Sequence, residues 1–359
     1  MMIDPWSNQL VEYDKLFSEF GLERISNDIL KRIKNKGRFF GRGIIFAHRD
    51  FEKWLDAWER GEEVAVVSGI KPSNDFHLGS KMTADEMIYF QKEFGAKVFY
   101  AIADLEAYAD NGTSLEKGLE FAISNLADML ALGLDERKTY VWRQSQEKRV
   151  MNMAYVFARK VTNSALRAIY GERNIALYFS ALTQAGDILL PQHKDFGGRK
   201  HVLVPIGVDQ DPHIRMTRDI AGREGLILPS STYHFFMRDL KGEQKMSKRD
   251  PEGILFLNDS PAIARKKIMN TLTGGRETAE EQRKKGGIIE NCVIYELAKF
   301  HFLDDKELDE MRRKCLNGEI LCGEDKEFIA NVVCEWLEKH QERKKRFVPK
   351  AKKMLGVEG

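Results

Sequence analysis

Val64-Ala65-Val66-Val67-Ser68-Gly69 is a short apolar run that stops at a glycine. A run of this kind, bounded by turn formers, reads as a strand buried on both faces of a parallel sheet. Val98-Phe99-Tyr100-Ala101-Ile102 has the same character, and between the two runs Lys81–Phe94 carries apolar residues at helical spacing. Strand, helix and strand in that order make a βαβ unit. Such units build doubly wound parallel sheets, which bind ligands at the carboxyl ends of their strands.

Working outward, Thr139–Trp142 and His201–Ile206 are further strand candidates. Leu115–Leu132 has helical periodicity, with Gly133 as its stop. Arg149–Tyr170 and Ala176–Leu190 read as helices inserted before the His201 strand. That strand runs into Gly207-Val208-Asp209-Gln210-Asp211-Pro212, and Pro near the first helical position predicts a helix from His213 to Gly222. Upstream, Asn27–Lys36 reads as a basic amphipathic helix. Phe39-Phe40 and Ile44-Ile45-Phe46 around Gly41-Arg42-Gly43 suggest a hairpin-like element. Beyond Asp250-Pro251 the pattern turns helical: Pro261–Leu272, Cys292–Phe302, Asp305–Cys315 and Lys326–Arg346, with only Ile254–Leu257 strand-like. The expected organisation is an α/β protein: an N-terminal extension (1–62), a doubly wound domain (63–258) with a helical insertion from about 108 to 200, and an all-helical domain (259–359).

A chain of 359 residues, 43% hydrophobic and 31% charged, fits a globular protein with more than one core. A net charge of +2 gives no global basic excess, although Arg343–Lys353 holds seven basic residues and no acidic one. Such a run reads first as a solvated helix face. No apolar stretch is long enough to span a bilayer, and the first residues lack a secretory pattern, so a cytoplasmic protein is expected. Cys292, Cys315, Cys322 and Cys334 match no common zinc spacing and read as thiols, with no metal site expected.

Four places carry chemistry. His77 follows a loop and precedes the Lys81–Phe94 helix, where unpaired N–H groups and the helix dipole favour phosphate; Gly79 and Gly69 permit close backbone approach. A helix-capping loop with an incidental histidine is the plainer alternative. Lys245-Met246-Ser247-Lys248 sits in a loop, where two lysines suit a departing pyrophosphate; an exposed basic turn is the alternative. Asp209 stands at a strand's carboxyl end, placed either to accept from a ribose or to cap the following helix. Glu106, just past the second strand, is placed to hold a ligand or to pair with a base such as Arg218, with Asp104 the more structural of the two acids.

Together, Pro72-Ser-Asn-Asp-Phe-His77-Leu-Gly79-Ser80 and Lys245-Met-Ser-Lys248-Arg249 resemble the two halves of the ATP site of class I aminoacyl-tRNA synthetases. Asp14-Lys-Leu-Phe-Ser-Glu-Phe-Gly21, Phe46-Ala-His48-Arg49-Asp50, Val208-Asp-Gln-Asp-Pro-His-Ile-Arg-Met-Thr-Arg218-Asp219, Thr273-Gly-Gly-Arg276, Gly318-Glu-Ile-Leu-Cys-Gly323 and His340-Gln-Glu-Arg-Lys-Lys345 narrow the resemblance to the tryptophanyl-tRNA synthetases of archaeal and eukaryotic type. The resemblance implies a Rossmann-type catalytic domain, a helical anticodon-binding domain, ATP with Mg2+, L-tryptophan and tRNA(Trp) as partners, and a homodimer. It assigns His77, Gly79, Lys245 and Lys248 to the ATP phosphates, with His77, Lys245 and Lys248 catalytic, and Ser80, Met246 and Ser247 are expected to bind ATP beside them. It assigns Gly207 and Asp209 to the adenosine, and Glu106, Gln184 and Gln210 to the amino acid; Gly69, at its strand end, is a further ATP-binding candidate.

Two departures matter. Ser80 stands where the family has His, which predicts that phosphate stabilisation leans on His77 and the lysines. Val67 and Ala101 stand where the family reads the indole N–H with Tyr and Gln. Asp187, one helical turn from Gln184, is the expected replacement, since a buried carboxylate is a strong acceptor; an Asp turned to solvent or capping a kink is the alternative. A phenol needs both a donor and an acceptor, and Val67 offers neither, so tryptophan is favoured over tyrosine. A non-catalytic tRNA-binding paralogue finds support only in Ser80. A nucleotidyltransferase on the same fold does not need residues 259–359.

Overall fold

The computed structural model describes residues 17–18, 20–244 and 250–357. Backbone contacts group them into two units. The first holds the described residues of Met1–Asn74, Thr83–Phe235 and Phe347–Gly359, and the second those of Asp75–Met82 and Phe236–Arg346. The division therefore falls earlier than residue 258, and the short His77 segment groups with the second unit. Lys245, Met246, Ser247 and Lys248, and part of the Asp14–Gly21 segment, lie outside the described residues.

The first unit is built on a seven-stranded sheet: β1 (Glu23–Arg24), β2 (Ile45–Arg49), β3 (Ala65–Ile70), β4 (Lys97–Ile102), β5 (Thr139–Arg143), β6 (Val202–Gly207) and β7 (Ser230–His234). The spatial order is β1-β2-β7-β6-β3-β4-β5. β7, β6, β3, β4 and β5 run parallel, and β1 and β2 add an antiparallel ribbon at the β7 edge. The chain winds outward from β3 in one direction to β4 and β5 and in the other to β6 and β7. The carboxyl ends of β3 and β6 therefore flank a topological switch point, where open α/β sheets leave a crevice. β6 is buried at every position and β3 at all but its last polar pair, as their apolar runs require.

The helix Leu115–Leu132 forms as expected, with the Ser114 hydroxyl accepting from Lys117 N at its start. The expected single helix over Arg149–Tyr170 is two, Lys148–Ala158 and Asn163–Tyr170, because Thr162 caps the second by accepting from Ala165 N. These helices and Ile175–Leu189 share a core with Asp211–Arg223 through Phe157, Tyr170, Leu182 and Ile220. The hairpin expected around Gly41-Arg42-Gly43 is instead a short helix, Gly37–Gly41, feeding β2. The N-terminal segment is thus part of the sheet.

β7 was not apparent from the sequence. Ser230-Ser-Thr-Tyr-His234 has no aliphatic residue, yet all five are buried. Two of its hydroxyls are tied to distant segments: Tyr233 Oη donates to Asp211 Oδ1 at 2.6 Å, and Ser230 Oγ donates to the Asp50 carbonyl at 2.7 Å. The Phe46–Asp50 motif completes this network. Arg49 donates to Asp211 at 2.9 Å, and Arg218 donates to Asp50 at 2.5 Å. Arg218 is therefore committed to Asp50.

The second unit carries the helices Pro261–Met269, Ala279–Lys285, Val293–Leu297, Asp305–Leu316 and most of Cys322–Met354. The last runs through Pro349, well past the expected end at Arg346. Ile254–Leu257 forms no named strand; Phe256 makes an isolated bridge with His77. Main chains meet closely here. An added Cβ would lie 1.7 Å from Ile288 O at Gly274, 2.0 Å from Leu316 O at Gly286 and 2.3 Å from Arg283 O at Gly318. Among the described residues, no helix is long and apolar enough to cross a membrane, and all four cysteines are free.

Candidate functional site

The carboxyl edge of the sheet gathers most of the predicted residues of the first unit. β3 ends at Ser68-Gly69-Ile70, beside β4. A side chain at Gly69 would put its Cβ 2.6 Å from the Ala101 carbonyl, so this strand end presents bare backbone. β6 ends at Gly207, and the following 3-10 turn, Val208–Gln210, carries Asp209 and Gln210 into the helix Asp211–Arg223. Asp209 does not cap that helix: the residue at its start is Gln210, and no side chain closes it. The buried Asp209 carboxylate instead accepts from Gln210 Nε2 at 3.3 Å. Behind it, burial pushes His213 down to about 3, so its ring is neutral at physiological pH; Nδ1 lies 2.8 Å from Tyr170 Oη.

Gln184, on the helix Ile175–Leu189, places Nε2 3.5 Å from Gln210 Oε1. The two amides that the family resemblance assigns to the amino acid therefore adjoin each other. Val67 is a buried wall residue. Glu106 is half-buried, and its basic neighbour is Lys71, 4.0 Å away, which also bonds the Asp110 carboxylate. Asp104 is structural: its carboxylate accepts from Ser145 N at 3.0 Å and from Ser145 Oγ at 2.5 Å, tying the end of β5 to the helix Asp104–Asn111. Lys71 was missed in the sequence because its role depends on the loop that brings it back to Glu106.

Asp187 is neither solvent-facing nor vacant. Its Oδ1 accepts from Trp142 Nε1 at 2.8 Å and its Oδ2 from Gln144 Nε2 at 2.7 Å. The indole N–H held by this carboxylate is the protein's own, and each of its oxygens already accepts one hydrogen bond within the chain. Burial raises its pKa to about 7, against the pull of the two donors. Trp142 and Gln144 were not singled out from the sequence. Their i, i+2 spacing at the end of β5, which puts both on one side, is the signal that could have found them.

In the second unit, His77 directly precedes the helix Leu78–Phe94. Its Nδ1 accepts from Gly79 N at 3.1 Å and its Nε2 lies 3.3 Å from Ser80 Oγ. With Nδ1 accepting, the proton of the neutral ring sits on Nε2, which donates to the serine and leaves the serine hydroxyl proton free to turn outward. Phe256 packs edge-on against the ring. In the basic run, Lys344 is buried and donates to Asn258 Oδ1 at 2.7 Å, Lys345 pairs with Glu342, and Lys350 with Glu136. Arg343, Arg346 and Lys353 are exposed.

Among the described residues, Glu23, His48 and Glu52 form the group whose potential metal-ligand atoms lie within 4.8 Å of one another. It sits at the β1–β2 ribbon, with β7 and β6 between it and the switch point. A cavity of about 400 Å³ lined by Arg149, Met153, Phe157, Leu189 and Leu226 contains none of the predicted residues.

The family model for tRNA synthetases class I (W and Y) matches residues 59–338. The tryptophan–tRNA ligase of Hyperthermus butylicus is 44% identical, over 96% of this chain and 95% of its own length. That of Methanocaldococcus jannaschii is 42% identical, over 99% and 98%. The crystal structure of tryptophanyl-tRNA synthetase from Aeropyrum pernix superposes with a TM-score of 0.92 at 41% identity, covering 98% of both chains. With the switch-point turn, the His77 helix start and these likenesses in agreement, the chain belongs to the class I tRNA synthetases of the W and Y family, alongside the archaeal tryptophan–tRNA ligases.

Proposed function

We propose that the protein is a tryptophan–tRNA ligase. The observation that carries this reading is the 44% identity to an archaeal tryptophan–tRNA ligase over nearly the whole of both chains. The substrates are ATP, brought in with Mg2+, L-tryptophan and tRNA(Trp). The tryptophan carboxylate attacks the α-phosphorus, the bond to the bridging oxygen breaks and pyrophosphate leaves. A hydroxyl of the terminal ribose of tRNA then attacks the carbonyl of the mixed anhydride, and AMP leaves.

Each residue has a task suited to its chemistry. Gly69 and Gly207 let backbone approach the adenosine, and Asp209 accepts from its ribose. The Ser80 hydroxyl offers its proton to a phosphate oxygen at a helix start, and on ATP binding His77 Nε2–H and Gly79 N–H exchange their bonds within the loop for phosphate oxygens beside it. Lys245 and Lys248, with Met246 and Ser247 between them, neutralise charge that grows on the leaving pyrophosphate. Glu106, Gln184 and Gln210 hold the ammonium and carboxylate groups, and Val67 walls the side-chain pocket. Asp187 orients its neighbours. The exposed basic residues after Arg343 fit phosphate contacts with tRNA, which position without reading sequence. The homodimer is part of the same reading.

The test is ATP–pyrophosphate exchange with each of the twenty amino acids, followed by charging of a tRNA(Trp) transcript. Exchange with tryptophan alone is expected. Exchange with tyrosine, or none with any amino acid, overturns the proposal.

A further inference from the structure

An enzyme that selects tryptophan needs an acceptor for one buried donor, the indole N–H. Val67 and Ala101 bring no polar side chain to that task, and both oxygens of Asp187 are engaged within the protein. Gln144 remains. Its side chain is 1% exposed, its Nε2 is fastened to Asp187, and its Oε1 is buried with no hydrogen-bond partner among the described residues. A buried amide oxygen without a donor is uncommon in a folded protein and calls for a physical reason.

Its place in the fold supplies one. Gln144 follows β5 at the carboxyl edge of the sheet, and on β5 the neighbouring Trp142 lies opposite Ala101 of β4. Asp187 stands one helical turn from Gln184, whose amide adjoins Gln210, and the Glu106 charge acts on Asp187. Gln144 is thus anchored within the group assigned to the amino acid. The orientation of its amide is also fixed: a charged carboxylate only accepts, so the NH2 must face Asp187 Oδ2 and the oxygen must face away from it. Trp142 holds the other carboxylate oxygen, so the carboxylate cannot turn to release the amide.

Resting on the tryptophan reading above, we propose that Gln144 Oε1 is the acceptor that reads the substrate's indole N–H. Asp187 is then a positioning residue, acting through Gln144. The arrangement moves the amide reader from β4, where Ala101 now stands, to the end of the adjacent strand.

The test uses the full chain at pH 8, above the titration of Asp187. ATP–pyrophosphate exchange is measured with L-tryptophan and with L-3-(benzothiophen-3-yl)alanine, in which sulfur replaces the N–H at nearly the same shape. The unaltered protein is expected to favour tryptophan in kcat/KM by about 10- to 100-fold. In Gln144→Met the preference is expected to fall below about threefold, through a raised KM for tryptophan and little change for the sulfur analogue. Equal losses for both substrates, or an unchanged ratio, overturn the assignment. If Gln144→Met does not fold, the unaltered protein still decides: a preference below about threefold overturns the assignment and a larger one upholds an indole-reading acceptor, with Gln144→Leu as the second variant to locate it. Absence of any tryptophan-dependent exchange in the unaltered protein overturns the tryptophan reading, and this assignment with it. Strong exchange with a flat ratio overturns the assignment alone.

Discussion

Trp142 donates its indole N–H to Asp187 Oδ1 at 2.8 Å, joining the end of β5 to the last turn of the helix Ile175–Leu189. Gln144 makes the matching bond to Oδ2. One buried carboxylate therefore fixes two side chains of a strand end, one helical turn from Gln184, and its loss should be felt first in stability.

Asp187→Ala leaves two buried donors without acceptors, each costing roughly 1–3 kcal/mol. A total loss of about 2–5 kcal/mol is expected in urea unfolding. A loss under about 1 kcal/mol would mean that water or another group takes over both donors.

The same carboxylate makes stability depend on pH. Folding raises its pKa from the ordinary range near 4 to about 7 because burial disfavours the charge. The folded protein therefore binds this proton more tightly than the unfolded chain, and the contribution of Asp187 to stability falls as pH rises from about 4 to about 7, then levels off. In Asp187→Asn this component is absent. Unfolding midpoints of both proteins at pH 5 and pH 8 should differ less across pH in the variant; identical pH profiles would contradict the assignment of the slope to Asp187.

Gly69→Ala sets a methyl group 2.6 Å from the Ala101 carbonyl, so β3 and β4 must part at the crevice. A stability loss of about 1–3 kcal/mol is expected, with a raised KM for ATP. A variant with unchanged melting temperature and KM would show that the strand pair yields freely.

Glu106→Gln removes the negative charge proposed to face the tryptophan ammonium. Charge-assisted bonds are worth about 1.5–3 kcal/mol, so KM for tryptophan should rise by about 10- to 100-fold while KM for ATP stays within about threefold. A parallel rise in both constants would place Glu106 in the framework of the site, as the partner of Lys71.

His77→Ala and Lys248→Ala should each lower kcat for activation by about 100-fold or more while substrate KM values change little, because their charge and donors matter most as pyrophosphate departs. A loss confined to KM for ATP would assign them to ground-state binding.

The central strands were legible because β3, β4 and β6 each carry an unbroken apolar run, Ala65–Val67, Val98–Ile102 and Val202–Ile206, which leaves no choice of face. β7 was hidden because its side chains are polar and become buried only through Asp50 and Asp211, residues distant in the chain. The break after Ala158 was written in Thr162-Asn163-Ser164, a helix-start signal overridden in the reading by apolar periodicity. The last helix, expected to end at Arg346, continues through Pro349 to Met354. For the site, the residues at strand ends could be placed from spacing alone. The engagement of Asp187 could not, because it depends on which strand end lies against the helix Ile175–Leu189.

Gly274, Gly286 and Gly318 bear on how this chain can change over generations. At each of them the obstacle to a larger residue is a main-chain carbonyl. Where a side chain is the obstacle, a second mutation can shrink it and rescue the first. A carbonyl is common to every amino acid, so no neighbouring replacement can make room. In a saturation library these three positions should admit only their present residue, while the helices around them drift.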